Sequence, residues 1–283
     1  MMNLPIPKNH DQVERFRRAV QELAARLRDS KPDVLIVFGP DHFRALFYDL
    51  MPPFTIGLDR LAGWGDWNTP PGPFRSHPEL AKHILNACLA EGFDLAFSHD
   101  LKVDHGITQP LQLMDLTDFP LVPIIVNSIG VPLPLLQRCH GFGAAVGRAV
   151  AGFAGELRVA VLASGGLSHD PTAPSFENAL HGRTNGFAAS RERETNLMKI
   201  AGKLQSRINP EWDRHVLNRL KNGEAALVAE EMTEESIFEA AGKGAQEIRT
   251  WIALAGAMGD KKMEILGYEP IDALITGMGV IST

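Results

Sequence analysis

Residues 33–49, DVLIVFGPDHFRALFYD, decide the predicted fold, because a fully apolar run ends at Gly39-Pro40 and is followed by Asp41 and His42. A run of Val, Leu, Ile and Phe between turn residues is typical of a buried parallel strand. Ligands of parallel sheets bind beyond the carboxyl ends of the strands. Asp41 and His42 are therefore predicted to lie where chemistry takes place.

The pattern of an apolar run followed by histidine and an acid occurs twice more. RVAVLAS leads to GGLSHD, which contains His169. DLAFS leads to HDLKVDHG, in which His99 is predicted to end the strand and Asp104 and His105 follow at once. Several histidines are thus expected at one edge of a sheet, each beside a carboxylate.

The composition limits the class of protein. The 283 residues are 45% hydrophobic and 22% charged, which is typical of an ordinary globular chain, and we predict one domain over residues 1–283. The formal net charge is −6 and Lys and Arg form no cluster, so nucleic acid is not predicted as a partner. Cys88 and Cys139 fit reduced thiols in the core.

The N-terminus and the hydropathy pattern predict a cytoplasmic protein. MMNLPIPKNH has neither a basic segment nor an apolar segment of the kind that secretory signals carry. No apolar stretch approaches the ~20 residues of a membrane span. We therefore expect no membrane partner.

Helical and strand patterns alternate along the chain. Helices are predicted over residues 13–27, 78–90 and 135–153, each next to an apolar strand. Such alternation indicates an α/β fold whose mostly parallel or mixed central sheet is covered by helices on both faces. The C-terminal third, from Trp212, is predicted to be helical. Residues 172–194 are polar with scattered Pro and Gly. This composition fits either a lid over the site or a disordered connector, and the sequence does not separate the two.

Glu247 is a candidate ligand in the last predicted helix, residues 246–257. It lies in the first turn, at the edge of the apolar stripe that contains Trp251. A carboxylate there either complements the helix dipole or binds a metal, and position alone does not separate the two. Two histidines and one carboxylate on one face of Fe(II) leave open positions for a chelating substrate and O2. The chain has no HExxH or CxxC motif that would indicate zinc.

Five segments in register resemble the class III extradiol ring-cleavage dioxygenases, and most closely the 2,3-dihydroxyphenylpropionate 1,2-dioxygenase branch. They are FGPDHFRALFYDLMPPFTIG, KVDHGITQPL, SGGLSHDP, NPEWD and AGKGAQEIRTW, and the resemblance extends from about residue 11 to 280. It implies a homo-oligomeric enzyme with non-haem Fe(II) as its cofactor. The enzyme would open the ring of a catecholic aromatic acid beside its two hydroxyl groups with O2.

The resemblance also implies site residues. His42 in PDHF matches an iron-binding histidine, and Glu247 in QEIRTW matches the carboxylate ligand. His105 in VDHG and His169 in LSHD match the two acid–base histidines. His169 is the candidate base that takes a proton from the catechol and His105 the candidate proton donor, although the two roles could be exchanged.

The third iron ligand of the family is a histidine in an N-terminal strand that would lie upstream of Met1. His10 is not expected to replace it, because it stands at the entrance to the first helix. The chain as given is therefore expected to hold iron poorly and to leave an unpaired edge in the sheet. Full activity would mean that another residue, His10 or His99, completes the site.

Four further residues are predicted near the site. Asp41 and Asp104 are expected to orient neighbouring histidines or to cap turns rather than to bind metal. His99 either supports the site from outside the ligand set or is structural. Tyr48 either lines the aromatic pocket or belongs to the core.

The sequence alone does not exclude two other functions. A chain that lacks a ligand could be a non-catalytic binding protein of the same fold, but His42, His105, His169 and Glu247 together argue against it. A metal-dependent hydrolase of an aromatic substrate is the other alternative. Oxygen consumption would separate it from a dioxygenase.

Overall fold

A five-stranded mixed sheet forms the centre of the computed structural model, which describes residues 10–171 and 207–283. Its strands are β1 (Val34–Gly39), β2 (Phe54–Gly63), β3 (Ala96–Val103), β4 (Leu121–Val126) and β5 (Val159–Ala163), in the spatial order β3-β2-β4-β1-β5. β1 is parallel to both of its neighbours, β4 and β5. β2 is antiparallel to β4 and parallel to β3. The mixed, mostly parallel sheet predicted from the sequence is confirmed.

Eight α-helices pack around this sheet in the described part of the chain. They are α1 (His10–Asp29), α2 (Pro78–Ala90), α3 (His105–Leu113), α4 (Leu136–Ala151), α5 (Pro210–Lys221), α6 (Ala225–Glu231), α7 (Glu234–Ala241) and α8 (Ile248–Ala257). The predicted helical region after residue 209 is confirmed. None of these helices combines the length and the apolar character that crossing a membrane requires.

β1 is buried on both faces, as its apolar sequence predicts. Alternate residues of a strand point to opposite faces of a sheet. Val34, Ile36 and Phe38 belong to the hydrophobic core that contains residues of α2, α4 and α8. Leu35 and Val37 belong to a second core that contains residues of α1 and α3. The helices therefore cover both faces of the sheet.

The C-terminal helices begin and end at the signals that the sequence carries. The Asn209 side chain accepts from Trp212 N at the start of α5, and Pro210 follows it in the first turn. Thr233 and Ser236 form a reciprocal capping box at the start of α7. Gly223 has a φ of 77° where the chain leaves α5, a conformation that glycine adopts without strain.

The structure corrects the predicted end of β3. The strand was expected to end at His99 and Asp100, but it continues to Val103. β3 is the outermost strand next to β2, so polar side chains in its middle remain exposed to solvent. The sequence interpretation took these polar residues for the end of the strand. The residues that follow β3 are Asp104 and His105.

A two-stranded antiparallel sheet follows α8 and was not predicted. Its strands are β6 (Glu264–Ile271) and β7 (Thr276–Ser282), and α1 packs against β6. β6 contains Gly267 and Pro270, which weaken the strand pattern in the sequence. The predicted lid or connector at residues 172–194 lies outside the described residues.

β5 stands at the edge of the central sheet opposite β3. Four of its five residues are half-buried, although all are apolar. Together with residues of α1 and β7 they line a groove of about 420 Å³. The groove extends to Ser164, the residue that follows β5.

Candidate active site

The carboxyl ends of β1 and β5 meet at one edge of the sheet, because the two strands are parallel neighbours. Ser164 N donates to Phe38 O at 2.9 Å there, which aligns the two strand ends. His42 follows β1, and Gly165 and Gly166 follow β5. These residues line a cavity of about 440 Å³. The end of β3 brings His105 to the same cavity.

β3 reaches this cavity although the topology alone would not place it there. β2 pairs with β4 only over residues 54–56, and then continues alongside β3 to Gly63. The pairing of β2 with β3 shifts register between Gly57 and Arg60, and such irregularities bend a strand. Beyond residue 56, β2 is paired with β3 and no longer with β4. Asp104 ends up beside the segment that follows β1.

His42 and Glu247 meet in the cavity although they are far apart in the sequence. His42 Nε2 lies 3.2 Å from Glu247 Oε1. Glu247 is buried at the end of a 3₁₀ turn, Gly244–Glu247, that leads into α8. Gly166 N donates to Glu247 Oε2 at 2.6 Å and fixes the carboxylate. A Cβ atom at Gly165 would lie 2.9 Å from the Glu247 Cβ atom, so this approach requires glycine.

Asp104 holds His42 from the other side of the ring. Its Oδ2 atom lies 3.0 Å from His42 Nδ1 and accepts from His42 N at 2.6 Å. Its Oδ1 atom accepts from Gly106 N at 2.8 Å and so caps α3. With Nδ1 engaged by a buried carboxylate, Nε2 is the ring nitrogen that His42 presents to Glu247.

His105 lies against His42 and has its own carboxylate partner. The two imidazole rings stack with centroids 4.1 Å apart and planes inclined by 26°. His105 Nδ1 lies 2.6 Å from Asp66 Oδ2. Trp67 packs edge on against the His105 ring, with a centroid distance of 6.0 Å.

His169 approaches Glu247 from the β5 side of the cavity. Its Nδ1 atom lies 2.8 Å from Leu167 O, and its Nε2 atom lies 3.5 Å from Glu247 Oε1. Gly244 packs against the ring, where a Cβ atom would collide with it. Four predicted residues, His42, His105, His169 and Glu247, thus line one cavity.

Two carboxylates set the charge of His42. Burial disfavours the imidazolium form, but Asp104 and Glu247 outweigh burial and raise the pKa of His42 to about 10. Burial also disfavours the charged form of Glu247, yet the imidazoles of His169 and His42 hold the pKa of that carboxyl well below its usual range. Without a bound metal, His42 is therefore an imidazolium between two carboxylates at neutral pH.

The pKa values of the two other histidines, His105 and His169, shift in opposite directions. Burial, together with the neighbouring charge of His42, lowers the pKa of His105 despite the carboxylates of Asp104 and Asp66. Burial acts in the same direction on His169, but Glu247 outweighs it and raises the pKa of His169. One carboxylate, Glu247, therefore couples the charge states of His42 and His169.

Asp41, next to His42 in the sequence, caps a turn instead of facing the cavity. Its carboxylate accepts from the backbone N–H groups of Arg44, Ala45 and Leu46 at 3.0 to 3.1 Å. Burial and the nearby charge of Asp104 raise the pKa of Asp41. Asp41 therefore fixes the backbone just after His42.

His99 and Tyr48 lie away from the cavity. His99 is exposed on β3 and pairs through Nδ1 with Asp59. Tyr48 packs on Phe43 with ring centroids 5.4 Å apart, in a small cluster beside the site. Neither residue is among those that line the cavity. His10 begins α1, and the third ligand expected upstream of Met1 lies outside the described residues.

The sequence interpretation missed Asp66 and Arg44. Asp66 is buried beneath His105, and Arg44 Nε lies 3.4 Å from Asp66 Oδ2. Asp66 stands in GWGDWN, a turn sequence without an apolar run, and no spacing rule connects it to His105. Arg44 in PDHFRALF follows a predicted site residue by only two positions, which was the one signal available.

A second group of potential ligands overlaps the first. One donor atom from each of His42, Asp104 and His105 lies within 4.8 Å of the other two. Both oxygens of Asp104 already accept hydrogen bonds, from Gly106 N on one side and from His42 on the other. Asp104 thus orients His42, and the atoms His42 Nε2 and Glu247 Oε1, 3.2 Å apart, form a further pair of metal-binding donor atoms in the cavity.

Known proteins match this chain over most of its length. Residues 1–279 match the family model described as the catalytic LigB subunit of aromatic ring-opening dioxygenase. A 2,3-dihydroxyphenylpropionate/2,3-dihydroxicinnamic acid 1,2-dioxygenase of Photorhabdus laumondii subsp. laumondii is 36% identical, over 94% of this chain and 89% of the relative. A protein of the same name from Rhodococcus jostii is 37% identical, over 90% of this chain and 86% of the relative. Another from Paraburkholderia phymatum is 35% identical, over 98% of this chain and 91% of the relative.

A solved structure shares the fold. An uncharacterized protein from Escherichia coli K12 superposes with a TM-score of 0.51 at 15% sequence identity, covering 94% of this chain and 91% of that one. The family match extends over nearly the whole chain. The chain belongs to the family of the catalytic LigB subunit of aromatic ring-opening dioxygenases and is an extradiol ring-cleavage dioxygenase.

Proposed function

We propose that the protein opens the ring of a catechol that carries an acid side chain, using O2 and an Fe(II) ion held by His42 and Glu247. The family membership supports the ring-opening reaction. The observation that carries the metal assignment is the 3.2 Å approach of His42 Nε2 to Glu247 Oε1 inside a cavity that also presents His105 and His169. That one catalytic domain spans the chain, and that it is a cytoplasmic homo-oligomer, stay predictions.

The donor set fits a divalent iron ion. Imidazole nitrogen and carboxylate oxygen are the ligands of non-haem Fe(II) centres. The His42 ring is oriented by the buried Asp104, and ligating histidines usually have such a carboxylate partner. When bound there, iron would supply two-point binding of the catechol hydroxyl groups and the activation of O2.

The two remaining histidines are placed to move protons. His105 Nδ1 is engaged by Asp66, which leaves Nε2 as the nitrogen available to a molecule in the cavity. A carboxylate partner stabilises the imidazolium that forms when a base accepts a proton. We therefore assign the base that receives a catechol proton to His105, and the proton donor to His169. The sequence interpretation favoured the reverse order but left the exchange open.

His169 differs from His105 in its partner. Its Nδ1 atom faces the backbone carbonyl of Leu167, a neutral acceptor, and its Nε2 atom lies beside Glu247. A proton on Nε2 would thus be held at the edge of the ligand site. From there it can be delivered to an oxygen of the substrate as the ring opens.

Two features of the cavity support an aromatic acid as substrate. Much of the lining is apolar, with Phe43, Trp67 and Ile129 among its members. The lining also includes Lys243, which is exposed to solvent and follows a glycine at the end of α7. An ammonium group at the rim of an apolar pocket favours substrates with a carboxylate on their side chain.

The test is anaerobic Fe(II) reconstitution followed by a panel of catechols with and without an acid side chain. Ring-opening absorbance and O2 uptake should rise together, and acid-bearing catechols should give the lower KM. A hydrolase would form product without O2 uptake, and a non-catalytic binding protein would consume neither substrate nor O2. Either result would refute the proposal.

A further inference from the structure

A carboxylate lies beneath one of the proton-transfer histidines. The Asp66 side chain is fully buried at 0% exposure, and its Oδ2 atom lies 2.6 Å from His105 Nδ1. The His105 side chain is 17% exposed and lines the cavity. One member of the pair, His105, thus lines the cavity, and the other, Asp66, lies in the protein interior behind it.

The chain adopts an unusual conformation to place this carboxylate. Gly65, Trp67 and Asn68 have φ values of 69°, 52° and 60°. Such left-handed conformations are costly for residues with a side chain, and they persist only where the surrounding structure enforces them. Thr69 closes the turn through hydrogen bonds from its N and Oγ1 atoms to Asp66 O, at 3.0 and 2.7 Å.

A buried guanidinium balances the charge of the carboxylate. Arg44 Nε lies 3.4 Å from Asp66 Oδ2, and the Arg44 side chain is itself buried. A buried carboxylate without a cationic partner would be costly, so Arg44 helps to hold the Asp66 side chain in this buried position. The same backbone turn that Asp41 caps places Arg44.

The site therefore contains two stacked imidazole rings, each with its own buried aspartate. Asp104 engages Nδ1 of His42, whose Nε2 atom faces Glu247. Asp66 engages Nδ1 of His105. Since a carboxylate accepts a hydrogen bond, each aspartate engages an N–H group at Nδ1. In a neutral His105 ring, which carries one N–H, this leaves Nε2 without a proton.

We propose that Asp66 is the positioning residue of His105: it holds the ring through Nδ1 and so turns Nε2 toward the molecule that binds in the cavity. This inference rests on the proposed function, because His105 has a proton to transfer only if a catechol binds in the cavity. Asp66 itself does not touch the substrate. It acts through His105.

A matched set of variants tests this role. Asp66→Ala removes the partner, and Asp66→Asn keeps an acceptor without the charge. Asp59→Ala is the control, because Asp59 pairs with the exposed His99. We expect kcat to fall about 100-fold in Asp66→Ala and about 10-fold in Asp66→Asn, the range typical of carboxylates that orient a functional histidine. KM and bound iron should stay within about twofold, as in the control.

A double variant separates positioning from general stabilisation. Once His105→Gln has removed the imidazole ring, adding Asp66→Ala should lower kcat no further, because Asp66 acts only through that ring. An additional loss of the full size seen in the single variant would show that Asp66 is merely structural. Equal kcat in Asp66→Ala and the wild type would also overturn the proposal.

A spectroscopic readout needs neither activity nor a variant of Asp66 that folds. The ¹⁵N chemical shifts of histidine in the iron-free wild type report which ring nitrogen carries the proton, and the His105 signals are those missing from His105→Gln. We expect the Nδ1–H form for His105. The Nε2–H form would overturn the role of Asp66. If the wild type cleaves no catechol, the proposed function fails, while this spectrum still decides the role of Asp66.

Discussion

His105 and His99 lie on the same stretch of chain, and each pairs through Nδ1 with an aspartate, yet the two pairs differ in their surroundings. The side chains of His105 and Asp66 are 17% and 0% exposed, whereas those of His99 and Asp59 are 59% and 35% exposed. Coulombic interactions between exposed groups are weakened by water and salt, and those in the interior are not. Burial, and not residue type, therefore separates a pair that can perform chemistry from a pair on the surface.

Among these substitutions, Glu247→Gln should lower iron content and activity most, because it removes a buried charge from the proposed metal site. The variant keeps the shape of the ligand but removes its charge, so we expect iron to be lost from the purified protein and ring cleavage to fall to background. Iron content by metal analysis and O2 uptake with a catechol check this. Glu91→Gln is the control, since Glu91 forms an exposed ion pair with Arg148. Full iron content in Glu247→Gln would contradict the assignment of Glu247 as a ligand and the distinction between buried and exposed charged groups.

Replacing the buried proton-transfer histidines should cost less than the loss of the metal. His105→Phe and His169→Phe should each lower kcat about 10²- to 10⁴-fold, the usual contribution of general acid–base groups, while iron stays bound. Steady-state kinetics together with metal analysis measure both quantities. Loss of iron in both variants would mean that these histidines are ligands and not proton-transfer groups.

Iron binding should depend on pH because of the charge of His42. The pKa of His42 is raised to about 10, so its imidazole is protonated at neutral pH in the iron-free protein. A metal binds only the neutral ring, and each binding event then releases one proton. The apparent affinity for Fe(II) should therefore rise about tenfold per pH unit between about pH 6 and 8. Competition with a chelator under anaerobic conditions measures this slope, and an affinity independent of pH would contradict it.

His99→Gln should have the smallest effect. The pair with Asp59 is exposed, and surface ion pairs contribute about 0 to 1 kcal/mol to stability. We expect kcat to stay within about twofold of the wild type and the free energy of unfolding to fall by less than about 1 kcal/mol. Thermal unfolding and steady-state kinetics provide both values. A loss of activity comparable to that of His105→Phe would show that burial does not distinguish the two pairs.

The strand-end residues were the part of the site that the sequence could predict. The apolar run before His42 marks a buried strand, and ligands bind at the ends of such strands. The family resemblance added Glu247, whose position at a helix start alone left two interpretations open. His42, His105, His169 and Glu247 do line one cavity.

Asp66 and the true extent of β3 were not predictable, for different physical reasons. Asp66 and His105 follow the paired ends of the parallel strands β2 and β3, where Gly63 lies opposite Val103, and no local pattern in the sequence reports which strands pair. β3 carries polar residues in its middle because it is an edge strand, and the position of a strand in the sheet is a tertiary property. The sequence interpretation therefore placed the end of β3 at His99, whereas the strand ends at Val103.

The most direct test of the account is the position of iron in a crystal of the protein loaded anaerobically with Fe(II). An anomalous difference map recorded at the iron absorption edge locates the ion without reference to activity. We predict a single peak about 2.1 Å from both His42 Nε2 and Glu247 Oε1, the usual bond length of a divalent first-row ion to these donors. His105 and His169 should lie beside the ion without binding it. A peak bonded to Asp104 or His105 instead would contradict the assignment of the ligands.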